Sequence, residues 1–239
     1  SVIFRAYAQP SKRRTFEGMS FLRPKNEMVT AETAMGGRQD YPYAVPDTHF
    51  VNGHRIREPF ERDGLQTAVF GMGCFWGAEK DFWEHDTVFS TAVGYAGGFS
   101  AYPTYEETCT GRTGHAEVVR VIFDPTEISY AELLSIFFEN HDPTQGMRQG
   151  NDVGTQYRSA IYYNSDDQRE QAAAAAAAFG ARLAQAGYGR VTTEIAPLGD
   201  FYYAEAYHQQ YLAKNPNGYC PVLATGVTCP VGLFASTSD

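Results

Sequence analysis

Between residues 67 and 196 the chain carries five short apolar runs, and the uneven spacing of helices among them restricts the fold more than any other feature. The runs are Thr67–Met72, Val88–Tyr95, Ala116–Phe123, Ser159–Tyr163 and Val191–Ala196. Each has the length of a strand and ends at glycine, proline or a polar turn. Helices are predicted after the first, third and fourth. Cys74–Glu84 has apolar residues at 3–4 spacing. Ser129-Tyr-Ala-Glu132 reads as a capping box that opens a helix through Phe138. Ser165-Asp-Asp-Gln168 reads as another, opening a helix that runs through an alanine tract to Gly187. Alanine is the best helix former, and Phe179 and Leu183 supply the anchor face. Only the polar loop 99–114 separates the second run from the third. A short helix is expected over Tyr203–Ala213. Strands that follow one another without a full helix between them point to an α+β two-layer sandwich with a mixed or antiparallel sheet.

The α+β domain spans 66–213. Residues 1–65 sustain no period of 2 or 3.6 and read as an extended N-terminal arm or a partly disordered extension. Within it, residues 1–18 read as upstream sequence, with Met19 an alternative start. Residues 214–239 read as a mobile Gly/Pro-rich tail. The basic residues Lys12-Arg13-Arg14 follow the first apolar ones instead of preceding them, which argues against a secretory signal and for the cytoplasm. No apolar stretch approaches the roughly 18 residues of a membrane span. A net charge of −9 argues against nucleic acid and anionic membrane as partners, since both need a basic surface. No GxGxxG follows a strand, and no GxxxxGK[ST] occurs, so nucleotide cofactors lose their usual signatures. The four cysteines form no CxxC and the six histidines no HxxxH, so no metal is expected.

The informative heptad is Gly71-Met-Gly-Cys-Phe-Trp-Gly77. It puts Cys74 at a strand-to-helix turn, where free backbone N–H groups and the helix dipole favour a thiolate. Phe75 and Trp76 supply an apolar wall beside the sulfur. In the strand Ala116–Phe123, alternation puts Glu117 on the face of Val119, Val121 and Phe123. A carboxyl on an apolar face is held partly protonated by desolvation, which suits a proton donor; at the strand end the same residue would reach water. Tyr95 has the parity of Phe89 and Val93, and Tyr157 that of Ile161; core tyrosines would show the same parity. Cys220 and Cys229 lie in glycine-containing coil, from which thiols reach a distant sulfur and exchange disulfides, or pair with each other. Cys109 reads as structural.

Five segments in order, Gly73-Cys-Phe-Trp-Gly77, Gly94-Tyr-Ala-Gly-Gly98, Thr113-Gly-His-Ala-Glu117, Asn140-His-Asp-Pro143 and Gly150-Asn-Asp-Val-Gly-Thr-Gln-Tyr-Arg-Ser159, resemble peptide-methionine sulfoxide reductases of type A. Cys220 and Cys229 resemble the recycling pair of the three-cysteine subgroup, and the arm resembles the extension of longer bacterial members. The resemblance implies a ferredoxin-like mixed-sheet core. It also implies reduction of the S epimer of methionine sulfoxide, free or in oxidised proteins, by a monomer without metal or organic cofactor. Cys74 matches the nucleophile, and Phe75 and Trp76 the walls around the substrate methyl group. Glu117 matches the acid on the sulfoxide oxygen, assisted by Tyr95 and Tyr157. Asp152 matches a loop carboxylate that positions the substrate. The implied relay runs from Cys74 through Cys220 and Cys229 to thioredoxin, for which dithiothreitol substitutes in vitro.

Two other readings start from Cys74. Cysteine-dependent acyl transfer needs a histidine base, with His115 and His141 as candidates. A redox sensor would oxidise Cys74 and reduce nothing.

Overall fold

The computed structural model describes residues 24–219 and 224–230. The readings placed on residues 1–23 and on Cys220 lie outside them. Strand β1 (Gln66–Met72) leads into helix α1 (Phe75–Trp83), then β2 (Val88–Ala96), α2 (Tyr105–Cys109), β3 (Ala116–Phe123) and α3 (Tyr130–Glu139). A two-residue hairpin, β4 (Arg148–Gln149) and β5 (Asp152–Val153), precedes a 3₁₀ turn over Thr155–Tyr157. Then come β6 (Ser159–Tyr163), α4 (Asp166–Gln185), β7 (Glu194–Pro197), β8 (Phe201–Tyr203) and α5 (Tyr211–Lys214).

Six strands form one sheet in the order β7-β6-β1-β3-β2-β8. Only the β6–β7 pair is parallel; the other four pairs are antiparallel, so the sheet is mixed as the sequence predicts. Helices α1, α3 and α4 cover one face. Phe70, in the central strand, packs its ring 5.3 Å from Phe82 of α1 and 5.4 Å from Phe137 of α3. Full burial of one such ring contributes roughly 2–3 kcal/mol. The other face is a smaller cluster of Val69, Ala96, Ala116, Val118, Ala160 and Tyr162, lidded by Ala196, Leu198 and Phe201.

Ser129 and Glu132 close the predicted capping box of α3. Ser165 caps α4 by accepting from the Gln168 N–H, but the Gln168 side chain accepts from Asn164 N–H instead of returning to Ser165, so that box is half formed. The loop 99–114 contains α2, whose capping box is Thr104 with Glu107. Residues 203–213 do not form one helix. Tyr203 ends β8, a turn follows, and helix resumes only at Tyr211.

The arm from residue 24 to 65 holds no strand or helix longer than a single bridge, Thr48 to Arg55, yet side chains tie it down along its length. The Arg38 guanidinium grips Glu107 through two bonds of 2.5 Å. Arg62 reaches Asp124 and Glu127, and Glu58 reaches Arg120. Along the outer side of β8, the Tyr203 N–H donates to the Tyr41 hydroxyl, and the Tyr43 hydroxyl donates to the Tyr203 carbonyl.

Candidate active site

Gly73 makes the turn from β1 to α1. Its φ is +93°, and a Cβ there would come within 2.6 Å of the Gln149 side chain, so both backbone and space require glycine. Cys74 is the N-cap of α1 without a side-chain cap bond. The first helical N–H, of Phe75, donates instead to Glu117 Oε2 at 3.2 Å. A carboxyl from the neighbouring strand therefore caps the helix whose N-terminus favours negative charge at Cys74.

Glu117 is 1% exposed, and its Oε1 has no hydrogen-bond partner among the described residues. Burial pushes the carboxyl up to about 8; the Phe75 N–H pulls the other way, and the charges of Asp152 and Glu205 push it further up. It is an acid at neutral pH, held so chiefly by desolvation.

The β2–β3 register sets Tyr95 directly opposite Glu117. A register shift between Val88 and Ser90 turns Phe89 away from the face of Val93 and Tyr95, and Phe89 stacks on His54 of the arm. The parity argument therefore holds for Val93 and Tyr95 but not for Phe89. Tyr95 hydroxyl donates to Glu205 Oε2 at 2.9 Å, and burial followed by the charges of Glu205 and Glu117 keeps it an O–H. Tyr157 ends the 3₁₀ turn, outside the alternation that sequence parity assumed. Burial raises its hydroxyl first, and then the charges of Glu117, Cys109, Asp152 and Cys74 raise it further, which places it in the field of both Cys74 and Glu117. Asp152 stands in β5. Its Oδ1 accepts from the Tyr219 hydroxyl at 3.3 Å, its Oδ2 has no partner among the described residues, and burial raises the carboxyl.

Aromatic rings close the apolar side. Phe75 lies 5.9 Å from the Tyr95 ring and 5.0 Å from His208. Trp76 stacks on Tyr211 at 3.9 Å and donates its indole N–H to His208 Nδ1 at 2.9 Å. Burial pulls the His208 imidazolium down to about 3, so the ring is neutral with its proton on Nε2. Seven predicted residues, Cys74, Phe75, Trp76, Tyr95, Glu117, Asp152 and Tyr157, thus converge.

Sequence reasoning missed Glu205, His208, Tyr211 and Tyr219. The available signal was the run His208-Gln209-Gln210, whose three side chains are all fully buried. Successive residues of a helix point about 100° apart, so one helical face does not bury three in a row.

Cys229 does not join this group. It is buried against α3, its N–H donating to Glu139 Oε1 at 2.6 Å, and burial pushes its thiol up to about 11. Cys109 sits half-buried beside the Tyr105 hydroxyl, and burial raises its thiol. The two histidines of the acyl-transfer reading are occupied elsewhere. His115 bonds Gly98 N–H and Ser100 carbonyl, and His141 bonds Phe137 carbonyl and Ser159 hydroxyl, so neither ring has a nitrogen to offer Cys74. Among the described residues no three His, Cys, Asp or Glu side chains group as a metal site, and no helix is long and apolar enough to cross a membrane.

A sequence profile described as Peptide methionine sulfoxide reductase matches residues 66–228. The chain is 59% identical to Peptide methionine sulfoxide reductase MsrA 1 of Synechocystis over 212 residues, covering 89% of this chain and 95% of that protein. It is 57% identical to MsrA of Salinispora arenicola over 223 residues, covering 92% of this chain and 100% of the other. Among solved structures it is similar to methionine sulfoxide reductase A of Corynebacterium diphtheriae. The TM-score is 0.76 at 48% identity, over 86% of this chain and 99% of that one. Mxr1 of Saccharomyces cerevisiae in reduced form gives a TM-score of 0.61 at 34% identity, over 69% of this chain and 94% of that one.

Proposed function

The chain belongs to the peptide methionine sulfoxide reductase family, enzymes that reduce methionine sulfoxide to methionine, and we propose that in this member Cys74 is the nucleophile and Glu117 the proton donor. The juxtaposition that carries this reading is a buried carboxyl, held up to about 8, bonded to the first N–H of the helix that Cys74 begins. A sulfoxide sulfur is a poor electrophile until its oxygen is protonated, so acid and thiolate must act side by side. The Cys74 sulfur attacks the sulfoxide sulfur as Glu117 and the Tyr157 hydroxyl donate to the oxygen, joined by the Tyr95 hydroxyl once it turns from Glu205. The S–O bond breaks with the oxygen leaving as water. A water then adds to the Cys74 sulfur as the new S–S bond breaks with its electron pair going to the substrate sulfur. Methionine leaves, and Cys74, oxidised by two electrons, is a sulfenic acid. Phe75 and Trp76 enclose the methyl group, and Asp152 holds the substrate from the β4–β5 hairpin.

The relay follows from thiol chemistry. Cys220 condenses with the sulfenic acid, releasing water and forming a Cys74–Cys220 disulfide. Cys229 then attacks Cys220 and frees Cys74, and a thioredoxin-type dithiol reduces the Cys220–Cys229 disulfide. With its thiol raised to about 11 and packed on α3, Cys229 must leave that site before it attacks. All electrons in this scheme come from thiols. The substrate is the S epimer, free or in oxidised protein.

The separated S and R epimers of a blocked methionine sulfoxide, with dithiothreitol, test the reading. Methionine should form from the S epimer alone, and Cys74→Ser should form none. Equal turnover by Cys74→Ser would remove Cys74 from the reaction. Cys229→Ser should release one methionine per chain with thioredoxin, and steady turnover would remove it from the relay.

A further inference from the structure

Glu79, one turn beyond Trp76 on α1, is fully buried and has no role in the chemistry above. We propose that Glu79 is a positioning residue, and that residues 47–56 of the arm act through it to hold the aromatic wall of Trp76, His208 and Tyr211. This rests on Trp76 lining the substrate site.

The hydrogen bonds have one consistent direction. Glu79 Oε1 accepts from the Thr91 hydroxyl at 3.0 Å and from Gln210 Nε2 at 2.6 Å, and its Oε2 accepts from the Gln210 N–H at 2.7 Å. Thr91 spends its only proton on Glu79, so its oxygen must accept from His49 Nε2 at 2.9 Å. His49 Nδ1 in turn accepts from the Val51 and Asn52 N–H groups. Every donor in the chain points toward Glu79, and each step excludes the opposite polarity. The arm closes the ring a second time, since the Phe50 N–H donates to Gln210 Oε1 at 3.0 Å.

What the ring holds is unusual. Gln210 has φ +47°, a left-handed conformation disfavoured for a residue with a side chain. It lies between His208, which receives the Trp76 indole proton, and Tyr211, on which that indole stacks. Both amide groups of Gln210 that could relax it are tied to Glu79 or to the arm. The arm therefore sets the rotation of the segment that presents His208 and Tyr211 to Trp76.

The test uses the full chain with Trp83→Phe, which leaves Trp76 as the sole tryptophan of the two. Kinetics with a blocked S-methionine sulfoxide and dithiothreitol are measured beside Trp76 emission. His49→Ala removes the last donor and should raise KM about 3- to 10-fold, the worth of one hydrogen bond, with kcat changed less than about 2-fold and the emission shifted. His49→Gln, which donates to Thr91 and accepts from the backbone as His49 does, should restore both. Glu79→Gln places an amide donor against donors and should raise KM more. Should it fail to fold, Thr91→Val, which cuts the same link, should reproduce His49→Ala. Wild-type KM and emission in His49→Ala, or a fall in kcat at unchanged KM, would overturn the proposal. A shifted emission with unchanged KM would uphold the coupling and remove Trp76 from the substrate wall.

Discussion

Arg158 and Glu117 are buried ionisable side chains on opposite faces of one sheet, and their surroundings treat them in opposite ways. Every donor of Arg158 that faces the protein is used. Its Nε donates to Glu194 at 2.7 Å, Nη1 to Thr155 carbonyl at 2.8 Å, and Nη2 to the carbonyls of Gly97 and Gly114 and to the Tyr162 hydroxyl. The guanidinium thereby ties β6 to the turn that carries Tyr157 and to the loops at the ends of β2 and β3. Among the described residues Glu117 has one bond, one oxygen without a partner and no cation beside it. The guanidinium is saturated, while the carboxyl at the head of α1 is left short and responds by keeping its proton.

The sharpest way to break the contrast is Glu117→Gln. Gln retains an acceptor for the Phe75 N–H but has no proton to give, and turnover should fall about 10²- to 10³-fold, measured by methionine release. Stability should move the other way. The folded carboxyl titrates near 8, above its ordinary 4.5. The contribution of Glu117 to wild-type stability is therefore greatest below about 4.5 and is lost as pH rises through 8, by up to about 3–5 kcal/mol. Glu117→Gln should lack that slope, so its denaturation midpoint should gain on wild type between pH 5 and 8. Wild type gaining on Glu117→Gln over that range instead would mean Glu117 is ionised in the fold. Next in size is Arg158→Met. It strands the Gly97 and Gly114 carbonyls in the interior, while the Thr155 carbonyl keeps the backbone N–H of residue 158, and should cost about 2–4 kcal/mol in urea unfolding, with the folded fraction still turning over the sulfoxide. Smallest is Glu194→Gln. Its partner keeps four other acceptors and the Glu194 side chain is 39% exposed, so less than about 1 kcal/mol should be lost. A loss as large as that of Arg158→Met would make the ion pair, and not the carbonyls, the source of the clamp's stability.

How much of this was legible depended on how local its cause is. The strand over Ala116–Phe123 and the parity of Glu117 follow from two-residue alternation, and the structure returns both. Cys74 at the head of a helix follows from the glycine beside it. The shift at Val88–Ser90, the left-handed Gln210 and the break of the 203–213 segment do not, because distant partners impose them: His54 for Phe89, Glu79 and Phe50 for Gln210. The arm shows the same limit. No period marks it, since its contacts are single side chains reaching different elements. Its conformation is written in the surface it covers.

The two arm tyrosines on Tyr203 carry a consequence for life at high protein concentration. A sheet normally ends in a row of unsatisfied peptide groups, ready to template another chain. Here the last strand is three residues long, and phenol hydroxyls occupy the N–H and C=O that Tyr203 would offer a neighbour. A hydroxyl satisfies the peptide group without presenting a new one beyond it. At Tyr203 this border of the sheet offers a stray strand no free peptide group to copy.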